Sequence, residues 1–214
     1  MSHSLPQQNA MNNSIGTFPV QAEFPFLLLH AEIVRYFEEQ EKERSIERDE
    51  WFKRVELSKV DGLTDNEKRV AKNLLIQGNA ETRLEALGYR VGYALAERLS
   101  KDMPRIPSEL ENVKFICKEF WTNVFGKQVD NLRTNHEGIY VIQDNRFTML
   151  SSFSDGTQYL KDSSIHLAFP SGLLRGALSN LGIEANVSAT TERLPTVRFN
   201  VTIQKEETDI VQTD

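Results

Sequence analysis

This chain has little of what marks a secreted, membrane-spanning or nucleic-acid-binding protein. Its single cysteine, Cys117, excludes an intramolecular disulfide and a thiolate cluster for zinc, and fits a reducing compartment. Its short apolar run Phe26–Leu29 is far below the ~18 residues of a membrane span, and we recognise no signal peptide. Acidic residues outnumber basic ones 31 to 25, a net charge of −6, whereas a nucleic-acid binder shows a basic face. We expect a cytosolic protein without nucleic acid, whose membrane contact is peripheral only.

Motifs for catalysis and cofactor binding are also missing. The sequence has no glycine-rich phosphate loop, no G-x-S-x-G and no H-E-x-x-H. Cys117 lies between the apolar Ile116 and Phe120, a setting that opposes the thiolate of a nucleophile, so we interpret it as a packing residue. The histidines are scattered: His3, His30, His136 and His166. We predict no enzyme activity, no metal and no cofactor.

Length and composition favour one domain with two tails. The 214 residues exceed a typical domain of ~100–200 residues, and the hydrophobic share of 39% is enough for one core. Residues 1–16 are rich in Ser, Asn and Gln, and residues 205–214 are polar, so we predict that both tails are disordered. We place the domain at 17–204, with an insertion of mixed charge at about 41–79. We interpret the mixed-charge stretch 38–69 as a solvated helix or a partly ordered segment.

Apolar periodicity predicts five helices. The first runs from Glu23 to about Gln40, and three others cover 64–77, 80–100 and the segment from Ser108 to about Phe125. Ser108 and Glu111 form a capping box for the fourth. A fifth helix has Pro170 in its first turn and Gly182 as its C-terminal cap.

Four short segments have the pattern of strands. Residues 131–134 and 139–143 flank Asn135–Gly138, a connection suited to a β-hairpin. Residues 184–190 and 196–203 follow the last helix, and the final strand alternates Val197, Phe199 and Val201 with polar residues. Because this alternation gives a sheet one buried face, we predict an α+β fold with helices packed on one face of a twisted antiparallel sheet.

Two helices carry more apolar surface than one domain needs. The first has two neighbouring apolar stripes, and a surface helix normally has one. In the helix at 80–100, two glycines lie beside a leucine stripe. A glycine inside a helix lowers helix stability by roughly 1 kcal/mol relative to alanine. Its presence therefore indicates close approach of another backbone, either within this chain or in a partner. We predict that both helices form a partner-binding face that includes Phe26, Leu29, Ile33, Phe37, Gly88, Tyr89, Gly92 and Tyr93.

Three segments resemble a known family. LEALGYRVGYALAERL (84–99), VKFICKEFWTNVFGKQVDNLRTNHEGIYVIQDN (113–145) and FPSGLLRGALSNLGIEANV (169–187) are similar to subunit 6 of the TRAPP vesicle-tethering complex. The resemblance implies a compact α+β unit, in agreement with the fold predicted above. It also singles out the hairpin residues Arg133, Asn135, His136 and Gly138 as a family motif.

The resemblance implies a non-catalytic scaffold. Subunits of this kind pair side by side with TRAPP subunit 3 and join other small TRAPP subunits in an assembly that exchanges nucleotide on a Rab-type GTPase. That assembly tethers vesicles in transport from the endoplasmic reticulum to the Golgi and at the Golgi, so the implied location is cytoplasmic and peripheral to the early Golgi and ER-derived vesicles. Subunit 3 has an acylated cysteine in the loop that matches residues 100–107, and this chain has none there.

A small-molecule or lipid carrier is the alternative function, because ligand-binding sensor domains have a related fold. A cavity beneath the sheet would favour it. His166 is the only histidine that we consider as a haem ligand, and a surface or capping role is the simpler interpretation.

Overall fold

The structure, a computed structural model, describes residues 23–57, 64, 66–67, 69, 78–104, 108–135 and 137–204. The predicted tails 1–16 and 205–214, and nearly all of the predicted helix at 64–77, lie outside these residues. Of the predicted insertion, the structure describes mainly residues 41–57.

The first helix, α1 (Glu23–Leu57), is much longer than predicted. No glycine or proline occurs between Pro25 and Gly62 to end it. Oppositely charged side chains pair along its second half. Arg48 pairs with Glu41 (2.7 Å), and Arg54 pairs with Glu50 one turn away (3.5 Å); a pair four residues apart adds a few tenths of a kcal/mol, about 0.2–0.5 kcal/mol. The predicted end near Gln40 is therefore wrong, and residues 41–57 form a helix with many exposed side chains.

Capping residues mark the start of the next helix and both ends of the helical run 109–125. Helix α2 (Ala80–Ser100) follows Asn79, whose Oδ1 accepts a hydrogen bond from the amide of Thr82 (2.9 Å). Ser108 caps α3 (Glu109–Phe115), which continues through a π-helical segment (Ile116–Phe120) into α4 (Trp121–Phe125). Gly126 then ends the run with a φ of 77°. A short α5 (Leu160–Ser163) and a 3-10 turn (Ile165–Leu167) precede α6 (Ala168–Asn180).

Four strands form one antiparallel sheet in the order β1-β2-β4-β3. They are β1 (Asn131–Thr134), β2 (Ile139–Asp144), β3 (Ala185–Arg193) and β4 (Thr196–Ile203). The predicted alternation is confirmed in β4, where Val197, Phe199 and Val201 are fully buried. Helices and a single antiparallel sheet make this an α+β fold.

The core lies between that sheet face and the helices. The ring of Trp121 is 4.5 Å from that of Phe125 and 5.5 Å from that of Phe199, measured between centroids. Its Nε1 donates to the buried carboxylate of Asp144 (3.0 Å), which also pairs with Lys127 (2.6 Å). Because a buried polar group is costly unless it is hydrogen-bonded, these contacts fix the orientation of the indole against β2.

Candidate partner-binding surface

Helix α1 divides into an inward and an outward side. His30 and Val34 are buried, and Phe26, Ile33 and Phe37 pack beside them against the core of the same chain. The residues predicted for the partner stripe therefore fall into two groups, and these three pack mainly against the core of their own domain. Sequence periodicity missed this because the buried row includes a histidine, which the apolar pattern does not count.

The outward side of α1 presents large apolar side chains to solvent. Leu28 and Leu29 are each 58% exposed and Tyr36 is 54% exposed. The sequence predicts Leu29 for this surface but not Leu28 or Tyr36. Nearly every uncharged position from 24 to 37 is apolar, so the sequence pattern does not distinguish the exposed apolar residues from the buried ones. The hydroxyl of Tyr36 accepts a hydrogen bond from Nε2 of Gln40 (2.7 Å), which holds the ring along the helix.

Arg83 of α2 fixes α1 in place. Its Nη2 donates to Oε1 of Gln40 (2.8 Å), and its guanidinium carbon lies 4.4 Å from the ring centroid of Phe37. A cation over an aromatic face adds roughly 0.5–1 kcal/mol or more when the pair is desolvated. The outward side of α1 is therefore supported by contacts that the domain makes without a partner.

The two glycines of α2 do not belong to a partner face. Gly88 and Gly92 are buried, and a Cβ on either would collide with the backbone of α6, at Phe169 and Leu173 respectively. The backbone that the sequence pattern anticipated is thus one of this chain, and the prediction of Gly88 and Gly92 as partner contacts is wrong. The physical reason is that α6 already fills the groove that they open.

The tyrosines of α2 also separate. Tyr89 is half-buried: its hydroxyl donates to Oγ of Ser179 (2.9 Å), and the guanidinium of Arg175 lies 4.9 Å from its ring centroid. Tyr93 is 42% exposed, with its ring 6.3 Å from that of Tyr89. Tyr93 is therefore the member of the pair that is free to meet a partner.

The hairpin motif is built for its turn. Oδ1 of Asn135 accepts hydrogen bonds from the amides of Glu137 (2.9 Å) and Ile139 (3.0 Å), and Gly138 has a φ of 93°. Arg133 is exposed on β1, opposite Val141. His136 lies outside the described residues. Asn135 and Gly138 thus have a structural explanation that requires no partner.

The groups considered for chemistry sit in apolar surroundings. Cys117 is buried, and burial raises the pKa of its thiol to about 12, so it stays protonated near neutral pH. The His30 and His166 rings lie 5.6 Å apart; burial, and secondarily His166, lowers the pKa of His30 to about 4. Burial lowers the pKa of His166 as well, against the opposing charge of Glu38. No group of three or more metal-binding side chains occurs in the described part of the chain.

Two clefts open at the surface of the described residues. The larger, about 780 Å³, lies where the end of α2, the start of α3 and the α6–β3 turn meet, with Met103, Leu181 and Ile183 among its apolar lining residues. The second, about 510 Å³, lies beside the β3–β4 turn. None of the described helices is long and apolar enough to cross a membrane.

The family model and the sequence relatives indicate one family. The family model for the transport protein particle (TRAPP) component matches residues 26–210. Trafficking protein particle complex subunit 6B of Homo sapiens is 56% identical over 128 residues, which cover 60% of this chain and 81% of that protein. Subunit 6A of Homo sapiens is 51% identical over 122 residues, 57% of this chain and 77% of that protein. A crystal structure of subunit 3 from Naegleria fowleri, covalently bound to palmitic acid, aligns at 15% identity with a TM-score of 0.49, over 64% of this chain and 90% of that one.

Proposed function

Because this chain belongs to the transport protein particle (TRAPP) component family, we propose that it is a non-catalytic scaffold subunit that pairs with TRAPP subunit 3. The pair would join other small TRAPP subunits in the assembly that tethers vesicles and serves a Rab-type GTPase. The similarity to subunits 6A and 6B of trafficking protein particle complexes supports membership in such an assembly. Its place would be the cytoplasm, at the surface of early Golgi membranes and ER-derived vesicles.

The observation that carries this proposal is the apolar outward side of α1. Leu28, Leu29 and Tyr36 are all more than half exposed, and exposed apolar clusters on a soluble protein mark interaction surfaces. A stable interface buries ~1,600 Å² in total. A helix of 35 residues is about 52 Å long at 1.5 Å per residue, long enough to supply one side of it, and Tyr93 of α2 adds a second exposed ring.

The surface is also rigid before any partner arrives. His30 and Val34 anchor α1 below, and Arg83 ties it to α2. A preformed surface loses little conformational entropy on binding, so more of the burial energy appears as affinity. This favours a lasting scaffold contact over a transient one.

Two charge substitutions test the proposed pairing. Leu29→Asp and Tyr93→Asp should each abolish co-purification with subunit 3, because a carboxylate would be desolvated at the interface. Both side chains are exposed in the free chain, so circular dichroism and the melting temperature should stay near wild type. Tyr159→Asp is the matched control: it is 41% exposed, precedes the short helix α5, and should bind normally.

Ile33→Asp separates folding from binding. Ile33 packs against the core, so its replacement by a carboxylate should lower the melting temperature of the isolated chain. Normal pairing by folded Leu29→Asp and Tyr93→Asp proteins would refute the proposed surface. Unfolding of both would show that these positions are core.

A further inference from the structure

A cationic cleft lies beside the β3–β4 turn, away from the α1 and α2 surface described above. Its lining residues include Asn145, Arg146, Ser151, Asp155 and Arg193, around an open volume of about 510 Å³. The two arginines make this site locally cationic although the whole chain has a net charge of −6. Its construction and its free donors indicate a binding site.

Three chain segments build the cleft, and hydrogen bonds to main-chain carbonyls join them. Leu194 and Gly156 exchange hydrogen bonds, with the amide of Leu194 donating at 2.9 Å. The amide of Phe147 donates to the carbonyl of Pro195 (3.1 Å), and the hydroxyl of Thr196 donates to the carbonyl of Asn145 (3.2 Å). These bonds hold the walls at fixed separations.

Buried side chains anchor two of the three segments, 145–151 and 193–196. Phe147, Leu150 and Leu194 are at most 1% exposed and belong to the hydrophobic core. A loop whose apolar residues are packed in the core does not rearrange freely. The cleft is therefore a fixed feature of the domain.

The cationic groups of the cleft lack carboxylate partners in the described part of the chain. Arg198 next to it forms an ion pair with Glu192 (2.7 Å), but neither Arg146 nor Arg193 forms one. The charge of Arg146 contributes to the lowered pKa of Asp130, but less than the hydrogen bond from the amide of Asn145 and the pairing with Lys127 do. Both guanidinium groups are on exposed residues, so their donors are accessible.

The neighbouring polar groups suit an anion. Oδ1 of Asn145 accepts a hydrogen bond from Nε2 of Gln143 (2.7 Å), and its main-chain amide donates to Oδ2 of Asp130 (2.6 Å), so the side-chain Nδ2 is the donor of Asn145 that can meet a ligand. Asp155 is the carboxylate among the lining residues, so the site has two positive charges and one negative charge. Such a balance attracts an anion while limiting how strongly it binds.

We propose that this cleft binds a phosphate-bearing ligand through Arg146 and Arg193. The planar guanidinium presents paired donors that match two phosphate oxygens, which makes arginine the preferred residue for phosphate recognition. The cleft has more room than a bare phosphate fills, so it accommodates a phosphate ester. The phosphate can belong to a free metabolite or to the headgroup of a membrane lipid, and this site is independent of the proposed pairing with subunit 3.

The first experiment uses the 214-residue chain and soluble probes. Calorimetric titration with inorganic phosphate and with glycerol 3-phosphate should show saturable binding. Arg146→Gln combined with Arg193→Gln should weaken it at least about tenfold, because two charge-assisted contacts are removed. Arg98→Gln, an exposed arginine in the last turn of α2, is the control and should bind as wild type.

A second variant reverses the sign of the effect. Asp155→Asn removes a negative charge without changing the size of the side chain, so binding should tighten by about two- to fivefold as Coulomb repulsion is lost. The four substitutions in these three variants change exposed residues, and unchanged melting temperatures would confirm that the variants are folded.

Vesicle flotation distinguishes the two sources of phosphate. Vesicles of phosphatidylcholine with phosphatidylinositol 4-phosphate should retain wild-type protein better than phosphatidylcholine alone if the ligand is a lipid headgroup. Loss of that retention in the double arginine variant supports a lipid source, and arginine-dependent binding of soluble esters alone supports a free ligand. Absence of binding to every probe, or binding that does not depend on the two arginines, would overturn the proposal.

Discussion

At the scale of single residues, four glycines set the distance between α2 and α6. Gly88 and Gly92 on α2 face Gly172 and Gly176 on α6, and each occupies a point where a Cβ would overlap the backbone of the other helix. The sequence shows the four-residue spacing in both helices, but it does not show that the two rows face each other.

Gly92→Ala should destabilise the domain. Helix propensity alone predicts a gain of about 1 kcal/mol, because alanine is the better helix former. The collision with Leu173 should outweigh this gain and lower the free energy of unfolding by about 1–3 kcal/mol. Urea denaturation gives the sign. Ala86→Gly, at an exposed position of the same helix, calibrates the propensity effect, and a stabilised Gly92→Ala protein would disprove the close packing.

Cys117→Ala should lower stability modestly, by about 1 kcal/mol, and leave complex assembly intact. Its thiol has an ordinary pKa of 9 that burial raises to about 12, so the neutral thiol stabilises the fold below pH 9 and this contribution is lost as the pH rises from 9 toward 12. The unfolding free energy of wild type should therefore fall more steeply above pH 9 than that of the variant. Equal slopes, or loss of assembly by a folded variant, would contradict a packing role.

At the scale of elements, α1 serves the domain with one side and solvent with the other. His30 lies in its buried row, with its ring 5.6 Å from that of Phe169, and its Nε2 has no hydrogen-bond partner among the residues that the structure describes. Burial, and secondarily the charge of His166, disfavours the protonated imidazole, and this is the physical cause of the lowered pKa of His30.

His30→Leu should make the fold less sensitive to acid. The pKa of His30 is lowered from 6.5 to about 4, so the unfolded chain binds a proton more readily and stability is lost as the pH falls from 6.5 toward 4. Between pH 7 and pH 5 this amounts to about 2 kcal/mol of unfolding free energy. Denaturant titrations of both proteins at the two pH values measure it. His166 adds a loss in the same direction in both, so an equal loss in wild type and variant would show that His30 does not carry the effect.

At the scale of the whole molecule, the core joins one sheet face to α1, α2, α3, α4 and α6. The sequence pattern predicts no core residue in either tail. Residues 1–16 and 205–214 lack apolar periodicity, and both lie outside the described residues. Their dispensability remains a prediction of the sequence.

A chain shortened to residues 18–205 should keep the melting temperature of the 214-residue chain and the proposed pairing with subunit 3. Segments without apolar periodicity bury little surface, so their removal costs little folding energy. Thermal unfolding and co-purification check both points. A drop of several degrees, or loss of the partner, would mean that one of the tails packs against the domain.

The sequence by itself determined the local elements. Ser108, Gly126 and Gly182 mark helix ends through capping and positive-φ conformations, and the alternation in β4 marks its buried face. These signals are local, because each depends on residues within a few positions of one another. The α+β class followed from them and is confirmed. The family resemblance came from the three segments 84–99, 113–145 and 169–187, and it is confirmed as well.

Only the tertiary structure decided which surfaces remain free. The apolar residues of α1 surround much of its first half, so periodicity could not tell that Leu28, Leu29 and Tyr36 face solvent. Gly88 and Gly92 pack against the backbone of α6, at Phe169 and Leu173, which lie far along the chain. Arg146 and Arg193 line the same cleft although 47 positions separate them (193 − 146). Each of these facts depends on long-range packing, which one-dimensional patterns do not encode.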